Sequence, residues 1–201
     1  MNLIGNSCFA SSLQKFSFQI VFILWVACEI GISLFTILKP FEKNSSKKSF
    51  DNGSYFAIIF GVWLSVWVSF LIEKQSQWLL PNIAFWIGIA FMFLGIVFRC
   101  WAVWTLRKFF SLSVVIESEQ KLIRNGPYKY LRHPAYTGSI LTLLGIPLSL
   151  RTLTGILLVG IIVAIAYGYR IFVEEKALLK NFGNEYLKYI KQTWRIIPWI
   201  W

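Results

Sequence analysis

P-A-Y-T-G-S-I-L-T-L-L-G-I-P-L-S-L-R-T-L-T-G-I-L-L-V-G-I-I-V-A-I-A-Y-G-Y-R-I-F-V, residues 134–173, carries only two charged side chains, Arg151 and Arg170. A bilayer core about 30 Å thick is crossed by about 20 apolar residues in helix. The stretch therefore reads as a helical hairpin, Pro134–Leu150 and Thr152–Val173, turned at Arg151. Its first arm is marginal. About 17 residues make about 25 Å of helix, less than the core is thick. Pro147 also removes a backbone donor, so a tilted or incomplete crossing is expected there.

Working back toward the N-terminus, three more apolar runs follow the same logic: Ser17–Leu38, Tyr55–Ile72 and Asn82–Leu106. The first is longer than the apolar core of a signal peptide and reads as a retained span. The composition agrees, at 57% hydrophobic and 14% charged with ten tryptophans. That excludes a soluble globular domain. The fold class is all-α: a polytopic transmembrane helical bundle of about five spans, with a C-terminal helical hairpin. No repeat or linker divides it, so 1–201 reads as one integral-membrane domain, with three spans in 1–106 and the polar motifs in 107–201. The tail from Glu174 is charged and helical in pattern, then ends W-R-I-I-P-W-I-W, which suits a membrane interface.

The net charge of +11 is explained by this topology and by anionic lipid rather than by nucleic acid. Five spans put the Lys39–Gly53 loop, the Arg107–Arg132 stretch and the C-terminal tail on one side. That side holds 16 of the 20 Lys and Arg residues. By the positive-inside rule it is cytoplasmic, and so is every segment polar enough for chemistry. Three unpaired-looking cysteines, at 8, 28 and 100, and one histidine argue against a metal site. Glu29 and Arg99 lie within spans at similar depth, about 12–13 Å from the cytoplasmic end, and are placed to pair across the bundle.

Two polar clusters flank the hairpin. G-P-Y-K-Y-L-R-H-P-A-Y-T-G, residues 126–138, delivers Arg132 and His133 to the mouth of a helix whose first residue is Pro134. Free N–H groups and the positive end of the dipole there favour anions. Y-R-I-F-V-E-E-K-A-L-L-K-N-F-G-N-E-Y-L-K-Y, residues 169–189, puts Arg170 and Glu174 one turn apart on one helix face. Such a pair is either an ordinary interfacial salt bridge or a ligand-binding pair, and spacing alone favours the former. No G-x-G-x-x-G, no G-x-x-x-x-G-K-S/T and no nucleophile elbow is present. A nucleotide-like cofactor would bind without a Rossmann domain.

Taken in order, G-P-Y-K-Y-L-R-H-P-A-Y-T-G and the later R-x-x-x-E-E-x-x-L-x-x-x-F-G-x-E-Y-x-x-Y resemble the isoprenylcysteine carboxyl methyltransferase family. The match covers about 114–198; the first three spans match in hydropathy and order only. The resemblance implies an integral-membrane enzyme that uses S-adenosylmethionine to methylate the carboxylate of a prenylated C-terminal cysteine. It implies a cytoplasm-facing cofactor pocket built from Gln120, Lys121, Leu122, Ile123, Tyr128, His133, Pro134, Ala135, Tyr136 and Glu174. It assigns Arg170 to the substrate, with Arg170 and His133 as the catalytic pair. Gln120 stands where the eukaryotic pattern has a histidine. The family's upstream cofactor-contacting glutamine falls at Ile116 or Glu117 here.

Residue chemistry fits such a transfer. Displacement at a sulfonium methyl is in line, so positioning and a dry pocket supply most of the catalysis. A carboxylate acceptor is already ionised and needs no base, and an arginine holds it with a planar fork. The implied partners are a lipophilic or prenylated substrate and membrane lipid, with no nucleic acid and no metal. Competing readings are a phospholipid or small amine/thiol methyltransferase, a nicotinamide-dependent membrane reductase, and a non-enzymatic membrane protein.

Overall fold

The computed structural model describes residues 8–38, 48–49, 51, 53–76, 78–112, 115–116 and 122–199. Long apolar runs become helices because lipid offers the backbone no other hydrogen-bond partner. The helices are α1 (Ser12–Ile37), α2 (Ser54–Gln75), α3 (Ile83–Leu106), α4 (Pro134–Ser149), α5 (Leu153–Phe182) and α6 (Asn184–Ile190). Four of them, α1, α2, α3 and α5, are long and apolar enough to cross a bilayer. Large apolar side chains cover their outer faces, among them Trp63, Trp67, Leu157 and Ile165. Two-residue strands, β1 (Lys48–Ser49) and β2 (Val115–Ile116), pair antiparallel with Lys48 opposite Ile116.

The expected short fourth run is a 16-residue helix, about 24 Å long. It is not a loose crossing. Lipid gives apolar helices no reason to associate, so close approach through small residues holds α3 to α4. A Cβ on Gly138 would lie 2.6 Å from the Arg99 backbone nitrogen and 2.7 Å from the Gly95 carbonyl oxygen. One heptad further, a Cβ on Gly145 would lie 2.8 Å from the Gly88 carbonyl oxygen. The two backbones therefore touch along an antiparallel seam. At its far end the Leu80 N–H donates to the Arg151 carbonyl at 2.8 Å, and Arg151 Nε donates to the Leu80 carbonyl at 2.7 Å.

α1 runs parallel to α3. Gln14 Nε2 donates to Asn82 Oδ1 at 2.7 Å near one end, and the expected Glu29–Arg99 pair forms near the other, with Arg99 Nη2 donating to Glu29 Oε2 at 2.8 Å. The cysteine spacing gave no hint that Cys28 and Cys100 meet, yet their Sγ atoms lie 2.7 Å apart beside that ion pair. α2 lies antiparallel to α5, where a Cβ on Gly61 would lie 2.6 Å from Ala166 Cβ. The core of this bundle includes Phe85, Met92, Leu143, Ile146, Val159 and Tyr167.

α5 is 30 residues, about 45 Å, so it overshoots a 30 Å core. Its uncharged stretch, broken only by Arg170, starts beside the Arg151 turn and ends at Val173, and the charged Glu174–Phe182 end extends beyond it. On that same face lie the start of α2, the end of α3 and the start of α4. All the polar clusters read from the sequence gather there.

Candidate functional site

Gly126 starts the site. Its φ of +56° is left-handed, and a Cβ there would lie 3.0 Å from Thr105 Oγ1, so glycine lets the loop fold down onto the end of α3. A 3-10 turn over Gly126–Lys129 then buries Pro127 and Tyr128. The Tyr128 ring packs in a second core cluster with Ile32, Ala102, Val103, Phe110 and Ala135. Burial, and then the charge of Glu174, push its phenol well above the usual range, so it stays neutral.

The backbone N–H groups of residues 130–133, just before the helix mouth, are all paired within the protein. The chain returns after α6 and lies alongside them as a parallel bridge, Leu131 to Trp194. The Arg132 N–H donates to the Trp194 carbonyl at 2.8 Å and the His133 N–H to the Arg195 carbonyl at 3.0 Å. Tyr189 Oη donates to the Tyr128 carbonyl at 2.6 Å, and Thr137 Oγ1 to the Ile196 carbonyl at 2.9 Å. A backbone donor left unpaired in a buried loop is costly, and the returning segment removes that cost.

Glu175 locks this return in place. It accepts from Arg132 Nε at 2.8 Å and Arg195 Nη2 at 3.0 Å, with His133 Nε2 at 3.4 Å. Burial alone would raise its carboxyl, but the hydrogen bonds from His133, Arg195 and Arg132 outweigh it and bring the value down to about 2. Arg132 also reaches the carbonyls of Ile190 and Thr193.

One turn of side chains further in, His133, Tyr136, Arg170 and Glu174 come together. The His133 and Tyr136 rings stack, with centroids 5.5 Å apart and planes 9° off parallel. The salt bridge expected from the i,i+4 spacing of Arg170 and Glu174 is not what forms. Tyr136 Oη stands between them, donating to Glu174 Oε2 at 2.6 Å and accepting from Arg170 Nε at 3.0 Å. Arg170 takes its ion partner from 119 residues away: Nη1 donates to Asp51 Oδ1 at 2.5 Å and to Ser54 Oγ at 2.7 Å, and Nη2 to the Leu112 carbonyl at 2.6 Å.

Exposure separates the two charges. The Arg170 side chain is 3% exposed, whereas the Glu174 carboxylate is 30% exposed, with His133 Nδ1 3.8 Å from it. An accessible carboxylate thus sits one hydroxyl away from a buried guanidinium. Such an arrangement sets an accessible negative charge beside a buried positive one. Pro134 and Ala135 are buried in the first turn of α4, where the Ala135 carbonyl accepts from Arg99 Nη1 at 3.3 Å. Leu122 and Ile123 are half-buried ahead of the 126–129 turn. Gln120, Lys121 and Glu117 lie outside the described residues, as does the Ile116 side chain.

Sequence reasoning missed Asp51. Asp51 is the only aspartate in the chain and precedes N-G-S at the start of an apolar run. That pattern signals a helix start. It is one, since Asp51 Oδ2 accepts from the Tyr55 N–H at 3.0 Å. Nothing in the pattern pointed to Arg170.

Comparison with known proteins follows the same line. A family model described as phospholipid methyltransferase matches residues 83–185. The chain is 31% identical over 122 residues to the uncharacterized protein YpbQ of Bacillus subtilis, covering 60% of this chain and 68% of that one. It is 32% identical over 154 residues to protein-S-isoprenylcysteine O-methyltransferase of Tribolium castaneum, covering 68% of this chain and 50% of the relative. With the Arabidopsis thaliana isoprenylcysteine O-methyltransferase B it shares 26% over 128 residues, covering 63% of each. The chain thus spans half to just under two thirds of the length of these two isoprenylcysteine methyltransferases. The solved structure of the eukaryotic intramembrane Ras methyltransferase ICMT, without a monobody, shares the fold. The TM-score is 0.64 at 22% identity, covering 96% of this chain and 70% of that one.

The fold is the one seen in that methyltransferase structure. The chain belongs to the phospholipid methyltransferase family, and the isoprenylcysteine carboxyl methyltransferases that its motifs resemble are among its relatives.

Proposed function

We propose that the protein transfers the methyl group of S-adenosylmethionine to the carboxylate of a membrane-borne, isoprenylcysteine-like acceptor, at a site facing the cytoplasm. The observation that carries this reading is the chain Arg170–Tyr136–Glu174, placed where α5 leaves the membrane. When bound, the sulfonium supplies a methyl group open to in-line displacement. Glu174, accessible and anionic, meets the positive charge of that cofactor. His133 fixes the Tyr136 ring by stacking on it, and Tyr136 sets the distance between the two charges. Arg170 holds the acceptor carboxylate in the attacking position, and being buried it does so with little screening. No residue has to remove a proton, because the acceptor arrives ionised.

In this reading the family resemblance also assigns Gln120, Lys121, Leu122, Ile123, Tyr128, Pro134 and Ala135 to the cofactor's surroundings. The lipid tail enters sideways between helices, since the site lies at the membrane boundary. The cytoplasmic orientation rests on the 16 basic residues that the sequence topology assigns to one side. Labelled S-adenosylmethionine, incubated with purified protein, prenylcysteine analogues and a native lipid extract, tests the proposal. Label in the prenylcysteine acid supports it. Label confined to an amine headgroup of the lipid extract rejects the acceptor in favour of a phospholipid.

A further inference from the structure

Arginine presents five N–H donors, and a bidentate carboxylate needs two of them along one edge. Among the described residues, Arg170 already directs bonds to Tyr136 Oη, Asp51 Oδ1, Ser54 Oγ and the Leu112 carbonyl. One donor is left. The acceptor carboxylate of the proposed reaction therefore cannot be held by two bonds until one present partner leaves. Tyr136 is fixed by Glu174 and the His133 stack, and Leu112 offers a backbone carbonyl. Asp51 is different. It is itself a carboxylate, it neutralises the guanidinium charge, and it is held at the start of α2 by Ser54 Oγ at 3.1 Å and the Tyr55 N–H.

Resting on the carboxylate-clamp reading above, we propose that Asp51 is a specificity-determining residue. Its carboxylate holds the place on Arg170 that the acceptor carboxylate takes, so acceptor binding exchanges one carboxylate for another. The exchange selects by charge. An incoming carboxylate restores the ion pair and hydrogen bond that Asp51 gives up, whereas a neutral group leaves Arg170 buried and uncompensated. Alcohols, amides and uncharged esters are refused because they cannot dislodge Asp51. A methyl ester product is such a neutral group, so Asp51 returns and favours release of product once the carboxylate has been methylated.

The test measures binding, without turnover, to the full-length protein saturated with S-adenosylhomocysteine. The probes are an N-acetyl-S-prenylcysteine with a free carboxylate and its carboxamide. Asp51→Asn keeps an oxygen for Ser54 but removes the competing charge, so it binds the acid about tenfold more tightly. Carboxamide and S-adenosylhomocysteine affinities stay at their wild-type values. Ser54→Ala, which removes the hydroxyl shared by Asp51 and Arg170, shifts acid affinity the same way and tests the idea should Asp51→Asn fail to fold. Acid affinity equal to or below wild type in whichever of these variants retains S-adenosylhomocysteine binding overturns the proposal. Arg170→Ala separates the two claims: if it still binds the acid like wild type, the clamp itself is wrong, and not merely the exchange.

Discussion

Gly138→Ala adds one methyl group to the seam between α3 and α4, and the geometry sets its cost. The new Cβ would lie 2.6 Å from the Arg99 nitrogen, 2.7 Å from the Gly95 oxygen and 2.8 Å from Arg99 Cβ. Ordinary contact begins at 3.4 Å, so the helices must part by about 0.8 Å. Two of the three obstacles are backbone atoms, which cannot rotate aside. Overpacking of a tight interior costs about 1–3 kcal/mol, and an immovable partner places this case near the top of that range. The strain is not local. Parting the seam moves Arg99 away from the Ala135 carbonyl, one residue from Tyr136. For a chain of this size, 3 kcal/mol corresponds to roughly 6–12 °C in Tm. Thermal unfolding of detergent-solubilised protein reads it, with Gly31→Ala and Gly168→Ala as controls. Neither control Cβ meets anything within 4 Å. Melting of Gly138→Ala no lower than that of the two controls would refute the seam argument.

Three further outcomes follow from the site. Glu174→Gln weakens S-adenosylhomocysteine binding about tenfold or more, a charged contact being worth about 1.5–3 kcal/mol; an unchanged Kd by calorimetry rejects Glu174 as the cofactor's carboxylate. Glu175→Gln lowers stability by about 3 kcal/mol, because its carboxyl falls from 4.5 to about 2 on folding and each unit is 1.36 kcal/mol. A depressed carboxyl stabilises fully above about pH 4.5 and loses that contribution as pH falls toward 2, so the variant's acid-unfolding profile is flatter over that window; matching profiles reject the lock. Single cysteines at Lys129 and Lys180 stay unlabelled by an impermeant maleimide in intact cells while one at Lys74 reacts, and the reverse pattern inverts the orientation.

The bundle was legible because membrane spans announce themselves by length and apolarity, which need no tertiary context. Span ends were less so. α1 begins at Ser12 rather than Ser17, because Lys15 and Gln14 fit an interfacial first turn, and Ser11 caps it. Depth along a helix is computable from residue number, and Glu29 with Arg99 met as that arithmetic placed them. Facing is harder to compute. Arg170 and Glu174 share a helix face, yet a tyrosine from α4 fills the space between them, and no spacing within one helix reveals a third helix. Asp51 was hidden for the same reason, since its contact depends on how α2 lies against α5. The motif's two outer glycines carried conformational meaning that the letters alone did not: Gly126 turns the loop, and Gly138 lets two backbones touch.

The parallel bridge between Leu131 and Trp194 also bears on how the protein is made. Arg132 and His133 have their amide partners supplied by residues about sixty positions later in the chain. A nascent chain that has already inserted α1 through α5 still lacks the segment that seats the motif loop. The loop that opens α4 is therefore seated by residues from beyond α6, and not by the hairpin it introduces.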